Sequence, residues 1–134
     1  MVDFDALVDA ARDARRHAVA GYSGFRVGAA IQAADGRVFT GCNIENASYG
    51  LTMCAERVAL FTALAAGARA FRALVVVADT ARPTPPCGSC RQLIWEFCGD
   101  VPVVLANLAE VTARHTAGAL LPFPFDGAFV PPSH

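Results

Sequence analysis

The sequence predicts a single α/β domain in which one sheet is covered by helices on both faces. Helix-type and strand-type segments follow one another in the order α-β-β-α-β-α-β, an order that packs helices against a shared sheet. A length of 134 residues suits one hydrophobic core and leaves little room for a second. Hydrophobic residues make up 54% of the chain and charged residues 17%, which excludes disorder as the main state.

A helix and a hairpin are predicted in the first third of the chain. Apolar residues recur at helical spacing from residue 3 to about residue 20, and Gly21 ends the pattern. Two strand-type segments, 27–32 and 38–43, flank Ala34-Asp35-Gly36. An Asp-Gly pair between two such segments is typical of a hairpin turn.

Two further helices and two strands complete the predicted order. Residues 53–68 resemble a largely buried helix, and residues 74–78 form the β-branched run typical of a buried parallel strand. A loop with three prolines leads into a helix from about residue 88 to residue 98, followed by a strand at 101–106. Beyond it we predict no further element, and we expect a disordered tail at 126–134.

Charge and composition exclude several kinds of function. A net charge of -1 argues against a protein that binds nucleic acid by neutralising phosphates. All 11 basic residues are arginines, so Schiff-base chemistry and a P-loop lysine are impossible. No apolar stretch is long enough to span a bilayer, and we expect no secretory signal. The apolar excess indicates surface that is buried elsewhere, for instance against other subunits.

The cysteines favour a reducing, cytoplasmic location. An odd number of them, in a chain without an expected export signal, is poor evidence for a disulfide framework. Free thiols available for a metal or for redox chemistry fit better. The five residues are Cys42, Cys54, Cys87, Cys90 and Cys98.

Two short segments carry the candidate chemistry, and each lies where a loop enters a predicted helix. They are Cys54-Ala55-Glu56-Arg57 and Pro86-Cys87-Gly88-Ser89-Cys90-Arg91-Gln92. The positive end of a helix favours thiolate over thiol, so two such helices could direct three thiolates at one cation. Zinc accepts thiolates in a tetrahedron, and three protein ligands leave a fourth position open for water, as in catalytic sites.

Two charged residues beside Cys54 strengthen the metal interpretation. Residues two apart do not share a helix face, so Cys54 and Glu56 can converge only beyond the amino-terminal end of the helix. Glu56 would there lie within reach of a water on the metal. Arg57 is placed to donate hydrogen bonds to the sulfur atoms and to offset their negative charge.

Alternative roles for the cysteines have to be weighed. Cys87-Gly88-Ser89-Cys90 alone also resembles a thioredoxin-like redox pair, but such a pair would have no use for the Cys54 segment. Cys98 could close the tetrahedron and make the site structural, yet it lies about 12 Å along the helix axis from Cys90. We interpret Cys98 and Cys42 as small core residues.

At this point the sequence resembles the zinc-dependent homotetrameric cytidine deaminases. The resemblance runs from about residue 20 to residue 125 and includes both cysteine segments. One branch of the zinc deaminases holds its metal with three cysteines, beside a glutamate that is not a ligand. The other matching stretches are Tyr22-Ser23-Gly24-Phe25-Arg26-Val27-Gly28-Ala29-Ala30, Gly41-Cys42-Asn43-Ile44-Glu45-Asn46-Ala47-Ser48-Tyr49-Gly50, and Leu120-Leu121-Pro122 followed by Phe125.

The resemblance implies a fold, an activity and an assembly. The fold is a three-layer α/β/α domain with a central mixed five-stranded sheet, here over residues 1–125. The activity is hydrolytic deamination of cytidine and 2′-deoxycytidine at a cyclic amidine C–N bond, as part of pyrimidine salvage. The protein would bind one Zn²⁺ per subunit and form a homotetramer whose subunits share active sites, without nucleic-acid or membrane partners.

The resemblance also assigns the reactive residues. Cys54, Cys87 and Cys90 match the family's zinc ligands. Glu56 matches its proton shuttle, and Arg57 matches the arginine that neutralises the thiolates.

Contacts to the sugar are implied in the same way. Asn43 and Glu45 match the pair that hydrogen-bonds the ribose 3′-hydroxyl, and Tyr49 matches a sugar contact across a subunit boundary. Without the resemblance, Asn43 and Glu45 would be interpreted as turn and edge residues, although residues two apart at a strand end can face one pocket.

Contacts to the base complete the set. Phe25 matches an aromatic residue that packs against the pyrimidine, Ala55 a backbone contact to the base, and Phe125 a ring that a neighbouring subunit lays over it. This chain departs from the family at Gly21, where proline is common, and at Phe123-Pro124. Both departures affect loop stiffness near the pocket and leave the zinc chemistry untouched.

Three other functions stay open at this point. One is deamination of a related aminonucleoside such as blasticidin S, and another is deamination of RNA or DNA. The third, from a different class, is a non-catalytic zinc or redox module.

Overall fold

A computed structural model of the chain describes residues 1–130. The helices are α1 (Phe4–Arg15), α2 (Ala55–Ala65), α3 (Gly88–Cys98) and α4 (Ala117–Leu120). The strands are β1 (Val27–Ala33), β2 (Val38–Cys42), β3 (Phe71–Ala78), β4 (Pro102–Ala106) and β5 (Val111–Thr116). Two short 3-10 helices cover Tyr49–Leu51 and Gly127–Phe129.

The strands form one mixed five-stranded sheet in the order β2-β1-β3-β4-β5. Strand β1 pairs antiparallel with both β2 and β3, β3 and β4 are parallel, and β4 and β5 are antiparallel. The parallel pair is connected through α3, since parallel neighbours need a crossover.

Helices cover both faces of the sheet, so the expected three-layer α/β/α fold is confirmed. On one face α1 buries Leu7, Val8 and Ala11 against β3 residues such as Val75. On the other face α2 and α3 bury an apolar cluster that includes Leu60. Among the described residues, the buried polar or charged side chains are Asn43 and Glu56.

Two glycines let helices lie directly on the sheet. A Cβ atom at Gly28 would collide with the backbone of α1 at Ala11. A Cβ atom at Gly41 would collide with the backbone of α2 at Ala55 and Ala59. The separation of each helix from the sheet is therefore set by a position that carries no side chain.

Several predicted boundaries differ from the structure. Helix α1 ends at Arg15 rather than near residue 20, because the chain turns there and Val19 pairs with Ile44. Helix α2 begins at Ala55 rather than residue 53, because Met53 instead pairs with Ile44. Helix α3 begins and ends at the predicted residues.

The largest differences lie after residue 106. Strand β5 and helix α4 both follow β4, and residue patterns predicted neither of them. Within the expected tail, residues 126–130 are folded, since Trp95 Nε1 donates to Asp126 at 3.1 Å and the 3-10 helix follows. The remainder of that tail, 131–134, lies outside the described residues. Over the described range, no helix is long and apolar enough to cross a membrane.

Candidate active site

Three cysteine sulfur atoms meet at the amino-terminal ends of α2 and α3. Cys54 is the N-cap residue of α2, Cys87 is the N-cap residue of α3, and Cys90 lies in the first turn of α3. The Sγ atom of Cys87 is 3.6 Å from that of Cys54 and 3.4 Å from that of Cys90. All three lie within 4.8 Å of one another.

This geometry fits zinc. Sulfur atoms bound about 2.3 Å from one tetrahedral ion lie roughly 3.8 Å apart, close to the distances between these thiols. The donor set is all sulfur, which selects zinc over hard cations such as magnesium or calcium. Cys90 is buried, Cys54 is half-buried and Cys87 is exposed, so the cluster has an open side.

The thiols of the cluster have unequal proton affinities. A hydrogen bond from Cys90, together with Arg57 close by, lowers the pKa of Cys54 to about 5. The same pairing with Cys54, added to burial, raises the pKa of Cys90 well above its usual range. Of these thiols, Cys54 is thus the one whose surroundings favour the thiolate form.

Glu56 lies beside this cluster, in the first turn of α2. Its side chain is 5% exposed. Loss of solvent, followed by the negative charge of Cys54, raises the pKa of Glu56 from 4.5 to about 7. A carboxyl group with a pKa near neutral can both accept and release a proton at neutral pH.

Arg57 places a positive charge beside the sulfur atoms. Its Nη2 atom lies 3.5 Å from the Cys54 Sγ and 3.5 Å from the carbonyl oxygen of Thr52. Its Nε is buried and has no hydrogen-bond partner within residues 1–130. The guanidinium group therefore lies beside the Cys54 sulfur atom, where its positive charge favours a thiolate.

The cluster opens into a cavity of about 210 Å³. The site residues that line it are Phe25, Asn43, Cys54, Ala55, Glu56 and Cys87. A second, more open cavity of about 390 Å³ adjoins it, and Thr52 lines both. The second cavity is lined by Tyr22, Ser23, Glu45, Tyr49 and Thr52.

Two of the sugar-contact candidates, Asn43 and Glu45, are positioned by contacts to the start of β1 and to the segment before it. Asn43 accepts a hydrogen bond from the Val27 backbone N–H at 2.8 Å and donates one to the Phe25 carbonyl at 2.7 Å. An amide can make four hydrogen bonds, so Asn43 keeps one donor and one acceptor position. Glu45 accepts hydrogen bonds from the backbone of Tyr22 and Ser23.

Among the candidates for substrate contact, Phe125 is the one that the chain does not bring to either cavity. Its ring stacks on Phe129 with centroids 5.6 Å apart, and its carbonyl accepts a hydrogen bond from Gln92. The side chain is 62% exposed. A role over the base therefore requires a second copy of the chain.

Sequence reasoning missed several residues of the cavity wall. Thr52, Met53, Thr84 and Pro85 all line the first cavity. Their only signal was position, because each lies just before one of the two cysteine segments.

Comparison with known proteins agrees with this site. Residues 1–106 match the family model described as the cytidine and deoxycytidylate deaminase zinc-binding region. A cytidine deaminase of Sporosarcina psychrophila is 50% identical over 129 residues, covering 96% of this chain and 92% of the relative. One of Halalkalibacterium halodurans is 51% identical over 129 residues, covering 96% and 95%.

A solved structure shows the same fold. The 1.6 Å crystal structure of cytidine deaminase from Burkholderia pseudomallei is 52% identical and superposes with a TM-score of 0.87. It covers 93% of this chain and 100% of the other. The fold and the three-thiol cluster thus define a zinc-binding deaminase. Within that class, the chain belongs to the cytidine deaminase family.

Proposed function

We propose that this protein hydrolyses cytidine and 2′-deoxycytidine to uridine and 2′-deoxyuridine with release of ammonia. The observation that carries the proposal is the buried carboxyl group of Glu56, whose pKa is about 7. It lies beside a three-thiol cluster in the wall of the first cavity.

Cys54, Cys87 and Cys90 would hold one zinc ion per chain. When bound, zinc lowers the pKa of water towards neutral and so supplies a nucleophile. Arg57 offsets the negative charge that three thiolates would otherwise concentrate at this point.

Glu56 performs the proton transfers. It accepts a proton from the attacking water and delivers it to N3 of the pyrimidine, which prepares C4 for attack. Once the water oxygen has bonded to C4, Glu56 accepts the second proton from that oxygen and passes it to the 4-amino group. The C4–N bond then breaks, C4 becomes a carbonyl carbon, and ammonia leaves. A near-neutral pKa allows the same carboxyl group to act as base and as acid.

The remaining wall residues position the substrate. Phe25 packs against the pyrimidine and the Ala55 backbone contacts the base, since both line the first cavity. Asn43 and Glu45 bind the sugar, supported by the position of Glu45 in the adjoining cavity. Tyr49 contacts the sugar that a neighbouring subunit binds.

We propose a homotetramer in which Phe125 and Tyr49 complete the pocket of a neighbouring subunit. Support comes from aromatic side chains that the single chain leaves exposed: Tyr49, Phe123, Phe125 and Phe129. Sedimentation would test the assembly, and an active monomer would refute the shared pocket. A role in pyrimidine salvage and a cytoplasmic location complete the proposal, and the free cysteines favour a reducing compartment.

The reaction is tested by following the ultraviolet absorbance change from cytidine to uridine. Activity should disappear when a chelator removes zinc and return when zinc is restored. A fully zinc-loaded protein that leaves cytidine and 2′-deoxycytidine unchanged would refute the proposal. A panel of other aminonucleosides, including blasticidin S, would then separate a different substrate from a non-catalytic zinc module, which releases no ammonia.

The role of Glu56 is tested by Glu56→Gln. Glutamine fills the same space but transfers no proton, so we expect kcat to fall by about 10²- to 10⁴-fold. Zinc content should stay at the wild-type level, because Glu56 is not one of the three sulfur donors. Near-normal turnover in this variant would contradict the proton-transfer role.

A further inference from the structure

We infer that Ser23 is a positioning residue for sugar recognition, because its hydroxyl group holds the Glu45 carboxylate and the Phe25 backbone in one arrangement. The inference rests on the proposed function and assigns a role to a residue that the zinc and proton-transfer chemistry does not use. Ser23 lines the second cavity together with Glu45.

Within residues 1–130, the hydrogen bonds to the Glu45 carboxylate all come from the loop at residues 22–23. One oxygen, Oε1, accepts hydrogen bonds from the backbone N–H groups of Tyr22 and Ser23, each at 3.0 Å. The other oxygen, Oε2, accepts a hydrogen bond from the Ser23 hydroxyl. Both oxygens are therefore oriented, and among the described residues only Ser23 orients Oε2.

The same hydroxyl group also contacts Phe25, a residue of the first cavity. The Phe25 backbone N–H donates to Ser23 Oγ at 3.0 Å, and a serine hydroxyl can donate one bond while accepting others. Phe25 lines the first cavity and Glu45 the second. Ser23 thus connects the residue proposed to contact the base with the carboxylate proposed to contact the sugar.

The hydrogen bonds orient the Glu45 carboxylate while leaving its negative charge unpaired. All three donors are uncharged groups, and no arginine forms an ion pair with Glu45 in the described part of the chain. An ionised carboxylate only accepts hydrogen bonds, so its free lone pairs select a partner that donates, such as a sugar hydroxyl. Because the orientation exists before binding, less ordering is needed when the nucleoside enters.

The neighbouring aromatic residues reinforce this loop. The Tyr22 ring meets the Tyr49 ring edge-on, with centroids 5.7 Å apart, so the wall of the second cavity continues from the Ser23 loop. A change at Ser23 should therefore affect the sugar side of the pocket. The three thiols and Glu56 lie on other elements and should be unaffected.

The test compares cytidine with 3′-deoxycytidine in the wild type and in Ser23→Ala. We expect kcat/KM for cytidine to fall by about 10-fold, mainly through KM, because a hydrogen bond to a charged group is lost. 3′-Deoxycytidine lacks the hydroxyl group that is proposed to donate a hydrogen bond to Glu45, so for this nucleoside we expect kcat/KM to change by less than about 2-fold. Ser23→Thr retains the hydroxyl and should restore most of the discrimination.

The ratio of the two kcat/KM values does not depend on how much of the variant is folded, so reduced stability cannot imitate the result. Thr62→Ala serves as the control, since it removes an exposed hydroxyl group that donates to the Val58 carbonyl within α2. Equal losses for both nucleosides in Ser23→Ala would overturn the inference while leaving the proposed function intact. A wild-type protein inactive on cytidine would refute the proposed function, and this inference with it.

Discussion

The amino-terminal end of α1 and those of the two site helices are built in different ways. At α1 the N-cap residue is Asp3, whose side chain accepts a hydrogen bond from the Ala6 N–H at 3.1 Å. At α2 and α3 the N-cap residues are Cys54 and Cys87, and neither side chain caps its helix. Each missing cap costs about 1 kcal/mol of helix stability.

The missing caps leave the amino-terminal ends of α2 and α3 free to interact with the cysteine sulfur atoms. An uncapped first turn leaves N–H groups and the positive end of the helix dipole directed at the cysteine sulfur atoms. The thiols can then meet one another rather than bond to their own helices. The capped end of α1 therefore stabilises its own helix, whereas the ends of α2 and α3 lack a side-chain cap and bring thiols together instead.

The largest expected effect comes from giving α2 a capping residue like that of α1. Serine is among the best N-cap residues but a poor zinc ligand, so Cys54→Ser should place a cap on α2 and remove a metal donor. We expect bound zinc and deaminase activity to be lost. The zinc-free variant should melt no lower than the zinc-free wild type. Metal analysis, activity and thermal unfolding measure the three outcomes.

Cys42→Ser is the matched control, because Cys42 is half-buried in β2 and outside the thiol cluster. It should keep its zinc. A Cys54→Ser protein that retained full zinc occupancy would show that Cys54 is not a ligand, and the contrast between the helix ends would lose its meaning.

The next largest expected effect is a change of stability with pH that comes from protonation of the Glu56 carboxyl group. Burial raises the pKa of Glu56 in the folded protein from 4.5 to about 7. The protonated carboxyl group therefore favours folding fully below its unfolded pKa, and this contribution is lost as pH rises through about 7. We therefore compare the zinc-free wild type with zinc-free Glu56→Gln. As pH rises from below 4.5 to above about 7, the unfolding free energy of the wild type should fall by about 3 kcal/mol relative to that of the variant.

Denaturant unfolding of both zinc-free proteins across that pH range measures the effect. Glutamine does not titrate, so the difference between the two curves isolates residue 56. A difference that stays constant with pH would mean that Glu56 is not desolvated in the folded protein.

The cap of α1 gives the smallest effect. Asp3→Ala removes the one side-chain bond at that helix end, so we expect a loss of about 1 kcal/mol of unfolding free energy. Zinc content and kcat should match the wild type, because α1 packs on the face of the sheet opposite the thiols. A decrease in activity larger than the loss of folded protein would show that the two faces are coupled.

The parts of the fold that were predictable are those with strong local signals. Helix α3 has apolar residues at helical spacing after a proline-rich loop, and the run that forms the end of β3 is unmistakably buried. Strand β5 was missed because its residues are partly or fully exposed at the edge of the sheet. Its pairing with β4 is a tertiary contact that no local pattern encodes.

The candidate site divides in a similar way. The three thiols and Glu56 could be inferred from residue type and spacing, because few other functions use cysteines at two adjacent helix ends. Phe25 and Asn43 carried no such signal, and only the family resemblance drew attention to them. The hydrogen bond from Ser23 to Glu45 connects residues 22 positions apart, and such a contact becomes visible only in three dimensions.

The absence of a side chain at Gly41 has a consequence for the alignment of the reactive groups. The thiol cluster and the proton-transfer group span two helices: Cys54 and Glu56 move with α2, whereas Cys87 and Cys90 move with α3. A methyl group at position 41 would displace α2 from the sheet, shifting one sulfur atom and the carboxyl group relative to the other two sulfur atoms. The relative positions of the reactive groups thus depend on Gly41, a residue with no functional group. A search by chemical type alone would overlook it.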